Sequence, residues 1–134
     1  MELVEQPLAK DDWEGMKTLY SQSPLPLFAD ESCVFENDVE KCHNHFHGIN
    51  IKLTKCSGIT PARRMITKAR ELDMKVMIGC MNESSIGTAA IAQLAPMLDL
   101  VDMYWPLVMA ECIAAGGRFG RGGIMYIEND CGGG

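Results

Sequence analysis

The sequence predicts an α/β fold of parallel strands, each followed by a helix. Three observations carry this. Strand-like and helix-like periodicities alternate along the chain. A polar residue closes each strand-like segment: Glu5, Asp30, Lys52, Glu83 and Asp102. These lie about 19 to 31 residues apart, the size of a βα unit. In the clearest strand, Ile49, Ile51 and Leu53 alternate with Asn50, Lys52 and Thr54. Lys52 is thereby set on the face opposite the isoleucines, near the strand's end. Polar side chains at the exits of parallel strands put the chemistry at one end of a barrel. The open doubly wound sheet is the alternative. It usually brings a glycine-rich phosphate loop after its first strand, and none follows here.

Each element has its own signal. Met1 to Gln6 is strand-like and Pro7 stops it. Asp11 and Glu14 form a capping-box pattern, and Trp13, Met16, Leu19 and Tyr20 give one apolar helical face. Leu27 to Ala29 is a short apolar strand followed by Asp30, Glu31 and Ser32. Phe35 to Asn44 carries only a thin helical stripe of Val39, Cys42 and Phe46. After the Lys52 strand, Thr60 and Pro61 read as helix cap and first helical residue. Ile59, Ala62, Met65, Ile66, Ala69 and Leu72 make this the best amphipathic helix of the chain. Lys75 to Gly79 is the next strand, Met81 to Ser85 a loop and cap, and Ile86 to Leu94 a helix closed by Pro96. Leu98 to Met103 reads as the last strand of the series. Residues 1–110 thus form the organised part, and 111–134 a glycine-rich, weakly structured segment with a short edge strand at Ile124 to Ile127.

Composition narrows the function. A chain of 134 residues is long enough for one core. Its net charge of −6 argues against a nucleic-acid surface. No stretch reads as a signal peptide or a membrane span, so a cytoplasmic setting without membrane partners is expected. The six cysteines lack zinc-type spacing and lie in or beside apolar segments, which predicts reduced, buried thiols.

Two carboxylates on neighbouring strand ends, Glu5 and Asp30, suit a hard divalent cation such as magnesium (Mg2+). Lys52 beside them suits a base, with a pKa lowered by that cation and by burial. Metal and lysine together suit removal of a proton next to a carboxylate, with the metal stabilising the developing enediolate. The plainer reading makes Glu5 and Asp30 helix-capping acids and Lys52 a surface residue. His43, His45 and His47 alternate and would share a face if extended, but no zinc spacing supports a metal role, and exposed histidines are expected. Gly116 to Gly123 lacks the ending of a phosphate loop. Met65, Met74, Met77 and Met81 are expected to fill the core.

Four ordered stretches, Glu2 to Pro7, Phe28 to Ser32, Ile49 to Lys55 and Gly79 to Gly87, closely resemble the enolase superfamily. Within it they are similar to the mandelate racemase and muconate-lactonizing enzymes, above all the dipeptide epimerases. The resemblance runs from Glu2 to about Met109. It implies a partial TIM-type (β/α)7β barrel, about strands four to eight, whose family partner is a separate α+β capping domain. It further implies a racemase or epimerase acting on a small carboxylate substrate, dipeptides among the candidates.

By that resemblance Glu5 and Asp30 match the metal ligands of strands four and five, and Lys52 the catalytic lysine of strand six. Glu83 matches an acid near the substrate after strand seven. Asp102 matches the first acid of an Asp-x-Asp pair that holds the substrate ammonium. Lys55 lies past the strand and is set aside. Tyr104 stands where the second aspartate would be, and Trp105 where glycine is common. The strand-three ligand, a second lysine on strand two and the capping domain fall outside these residues. The expectation is therefore a gene fragment, or a half-barrel completed by another copy or chain. A non-catalytic assembly module and another lyase or cycloisomerase of the superfamily are the alternatives. Half a barrel would leave inner apolar residues such as Val4, Phe28, Ile51 and Val76 uncovered and favour self-association.

Overall fold

The computed structural model describes residues 1–103, 117–120 and 123–126. The elements run β1 (Val4–Glu5), α1 (Trp13–Gln22), β2 (Leu27–Ala29), α2 (Glu36–Cys42), β3 (Gly48–Ile51), α3 (Leu53–Cys56), α4 (Ile59–Glu71), β4 (Lys75–Gly79), α5 (Ser85–Leu94) and β5 (Leu100–Asp102). A single 3-10 turn, Ala95–Met97, follows α5. All five strands are parallel and stand in sequence order, β1-β2-β3-β4-β5. A doubly wound sheet would reverse its order at a switch point. Here the order never reverses, so right-handed crossovers lay every helix on one face and the sheet curls as a half-barrel.

The helix-facing side of the sheet is the core. Ile49, Ile51, Val76 and Ile78 point outward from β3 and β4 and meet Ala62, Met65, Ile66 and Ala69 of α4. Full burial of each large aliphatic side chain contributes about 1.5–3 kcal/mol. The opposite, concave side follows from the pleat and the register. Glu5, Phe28, Gly48 and Lys75 form one row across the sheet. Asn50, Met77 and Leu100 form the next, and Gly79 pairs with Asp102. Ile51 and Val76 are therefore covered by helices and not left open on the concave side. Phe28 does face inward, yet it is fully buried. Its ring occupies the space over Gly48, where a Cβ would approach Phe28 Cε1 to 2.5 Å. The middle of the concave face is thus covered, while Glu5, Lys75 and Asp102 stay exposed, and among the described residues β1 and β5 each pair with a strand on one side only.

Local chemistry shifted several boundaries. Asp12, rather than Asp11, caps α1, its carboxylate accepting from Gly15 N–H at 2.9 Å. Helix α4 opens at Ile59, with Gly58 as its cap and Pro61 third in the helix. Between β3 and α4 the chain makes one extra helical turn, α3, which ends on Ser57 at φ 72°. Gly58 follows at φ 111°, a conformation that favours glycine, and reverses the chain into α4. Met65, Met74 and Met77 are buried, but Met81 is exposed in the loop after β4. Cys33, Cys42, Cys56 and Cys80 are free thiols and buried.

The histidines are half-buried rather than exposed. His45 packs edge-on to Trp13, and His47 stacks on Tyr20 while its Nδ1 accepts from Leu27 N–H at 3.1 Å. Burial, then the charge of Lys75, holds the His47 pKa below the ordinary histidine value. An antiparallel hairpin pairs β6 (Gly117–Gly120) with β7 (Gly123–Tyr126), in the region expected to be weakly structured. Tyr104, Trp105 and the boundary near residue 110 lie outside the described residues. No described helix is long and apolar enough to cross a membrane.

Candidate active site

Because the strands are parallel, their carboxyl ends share one rim. Glu5 is the last residue of β1, Asp30 follows β2, Lys52 follows β3, Glu83 lies in the loop after β4, and Asp102 ends β5. Three of the five meet. The Lys52 ammonium donates to Asp30 Oδ2 and lies 3.6 Å from Glu5 Oε1. Asp30 is 5% exposed, and its other oxygen accepts from Lys55 Nζ at 2.9 Å. Lys55 also lies 3.6 Å from Glu31. Lys55 enters the site because α3 begins directly after Lys52. Residues three apart on a helical turn share a side, whereas on an extended strand they would not.

The electrostatics are those of a compact ion cluster. Burial pushes the Asp30 carboxyl up, but hydrogen bonds and charge from Lys52 and Lys55 overcome this and hold it below the usual carboxylate range. Burial likewise works to lower the Lys52 pKa, and the bond to Asp30 with the charges of Asp30, Glu5 and Glu31 raises it above the ordinary lysine value. Burial alone therefore does not lower the Lys52 pKa: with no cation beside them, the carboxylates outweigh it. Glu83 is 5% exposed, and burial raises its pKa against the pull of Met81 N–H and of the Lys52 charge. Its Oε2 accepts from Met81 N–H at 2.7 Å, while Oε1 is buried without a partner among the described residues. Asp102 stays apart. It is exposed and makes no side-chain hydrogen bond among the described residues; its carbonyl accepts from Cys80 N–H.

Two supporting residues were not singled out from the sequence. Gln6, at φ 38°, accepts at Oε1 from the backbone N–H of Asp30 at 3.0 Å and of Ser32 at 3.1 Å. Its Nε2 donates to Leu8 O and Ser32 Oγ. One side chain thereby ties the exit of β1 to the loop that carries Asp30. Asn50, 3% exposed, donates from Nδ2 to Glu5 Oε1 at 2.7 Å. Gln6 carried no sequence signal. Asn50 did: it alternates with the isoleucines and shares the Lys52 face.

Among the described residues no three His, Cys, Asp or Glu groups surround one point. Glu5 and Asp30 nonetheless present hard oxygen donors to a single cationic position, the one held by the Lys52 ammonium. That is a partial donor set for magnesium, which commonly uses one or two carboxylates and completes its shell with water or substrate.

Residues 1–128 match the family described as enolase C-terminal domain-like. An L-Ala-D/L-amino acid epimerase from a Maribacter species is 56% identical over 127 residues, covering 95% of this chain and 38% of that protein. One from Flavobacterium johnsoniae is 52% identical over 126 residues, covering 94% and 38%. The chain therefore spans well under half the length of the curated relatives it matches. The crystal structure of a dipeptide epimerase from Enterococcus faecalis, complexed with Mg and the dipeptide L-Leu-L-Tyr, superposes with a TM-score of 0.83 at 34% identity, covering 87% of this chain and 34% of that one.

Proposed function

The chain belongs to the enolase C-terminal domain-like family, and from that membership and the meeting of Glu5, Asp30 and Lys52 we propose that the protein is a metal-dependent epimerase of dipeptides. The observation that carries the reading is the Lys52 ammonium set between two carboxylates at adjacent strand ends. Glu5 and Asp30 would hold magnesium. A divalent cation held there would supply positive charge for the developing enediolate, and with Glu5 and Asp30 engaged as its ligands Lys52 would be easier to deprotonate. Lys52 Nζ then takes the α-proton on one face of the substrate. Epimerisation needs a second base on the other face, supplied from outside these residues. Glu83, in the loop after β4, and Asp102, at the end of β5, would bound the substrate, with Asp102 accepting from its ammonium. The relatives named as dipeptide and L-Ala-D/L-amino acid epimerases support this substrate class.

The test uses the full natural chain that carries these residues, with magnesium and L-Ala-L-Xaa dipeptides in deuterium oxide. Exchange of the α-proton is followed by NMR. Lys52→Ala is expected to lose about 10²–10⁴-fold in epimerisation, the usual loss for a well-placed base. Turnover by Lys52→Ala at the parent rate would overturn the assignment.

A further inference from the structure

We infer that Asn50 is a positioning residue of the metal site, a strut that holds the Glu5 carboxylate from two strands away. The inference rests on the reading of Glu5 and Asp30 as metal ligands. Asn50 leaves the middle of β3, and Glu5 ends β1, with β2 between them. The amide crosses that gap and donates to Glu5 Oε1 at 2.7 Å. A carboxylate can only accept, so the NH2 end of the amide must face it. The bond occupies Oε1, fixes the plane of the carboxylate, and leaves Oε2 for a cation. Asp30 needs no such help, because its oxygens are held by Lys52 and Lys55 and its loop by Gln6. Glu5 has less support: its side chain is 34% exposed, and apart from the 3.6 Å approach of Lys52 its only side-chain hydrogen bond among the described residues is from Asn50.

The opposite wall is shaped to fit. A Cβ on Gly79 of β4 would lie 2.9 Å from Asn50 Nδ2 and 3.0 Å from Oδ1. Only glycine there leaves the amide its place between β4 and Glu5. The buried Oδ1 has no partner among the described residues. Burying an amide costs stability that an apolar side chain would avoid, and here the donor end of the amide is the one in use.

The experiment measures Mn2+ affinity of the full natural chain by electron paramagnetic resonance, with folding checked by circular dichroism. Asn50→Leu keeps the branching and the number of heavy atoms and removes the donor. Its Kd for Mn2+ is expected to rise about 10–100-fold, the usual effect of losing a group that orients a metal ligand. Gly79→Ala keeps Asn50 but displaces its amide, and is expected to weaken binding severalfold. A folded Asn50→Leu within threefold of the parent overturns the inference; should Asn50→Leu fail to fold, Gly79→Ala decides by the same criterion. An independent readout uses the unaltered protein. The ¹⁵N-labelled Asn50 side-chain amide should exchange slowly and broaden when Mn2+ is added, and a fast-exchanging amide that Mn2+ leaves sharp overturns the strut. A parent that binds no Mn2+ sinks the metal reading itself, and the strut with it; a parent that binds while Asn50→Leu binds equally well sinks the strut alone.

Discussion

Asp30→Ala should destabilise the chain more than Lys52→Met, although each removes one partner of the same ion pair. Asp30 is buried and accepts from two lysines, so its loss strands two ammonium groups at once. Among the described residues Lys52 then keeps only Glu5 at 3.6 Å, and Lys55 only Glu31 at 3.6 Å. The Glu5 and Glu31 side chains are 34% and 53% exposed, so water screens both residual pairs. Removing one member of a buried pair typically costs about 3–5 kcal/mol, and these residual partners place Asp30→Ala near the lower end, about 3 kcal/mol. Lys52→Met leaves Asp30 bonded to Lys55 and costs about 1–2 kcal/mol. Combining the two should recover part of the larger loss, since one stranded ammonium is gone. The assay is urea unfolding followed by far-ultraviolet circular dichroism, without divalent cations. Equal losses from the two single changes, or less than about 1 kcal/mol from Asp30→Ala, would refute the reasoning. The pH dependence has a definite sign. The folded pKa of Asp30 lies below its unfolded value. Its contribution is therefore complete above the ordinary aspartate value of about 3.9 and fades as pH falls through the folded one. The gap between parent and Asp30→Ala should narrow in that acid range and hold at neutral pH.

Glu83 behaves oppositely: its folded pKa is raised, so folding favours the protonated form and stability falls as pH rises through that value. Glu83→Gln should therefore melt higher than the parent at pH 7, with the advantage gone below the ordinary glutamate value of about 4.3; thermal melts that show no gain at neutral pH would contradict this. Gly48→Ala would place a Cβ 2.5 Å from the Phe28 ring and 2.7 Å from the Lys75 carbonyl oxygen, a backbone atom in the strand ladder. Overpacking of this kind costs about 1–3 kcal/mol, and an unchanged urea midpoint would show that the inner face is looser than described.

Much of the fold was legible in order along the chain. Ile49 and Ile51, and the spaced Ala62, Met65, Ile66 and Ala69, announced a strand and a helix because a single apolar face leaves a period of two or of 3.6. The recurrence of Glu5, Asp30, Lys52, Glu83 and Asp102 at strand exits also lay in the sequence, because each exit depends only on where its own strand stops. What pairs with what did not. That Lys55 reaches Asp30 depends on one turn of helix after Lys52, four residues too short to show a period. That Asn50 reaches Glu5 and Gly79 makes room for it depends on strands 45 residues apart in the chain being brought into register. The direction in which Asp30, Glu5 and Glu31 move the Lys52 pKa was hidden for the same reason. Burial is a property that an apolar neighbourhood in sequence can suggest, but the direction of a charge's shift is set by which opposite charges stand within a few ångströms, and only the folded sheet decides that.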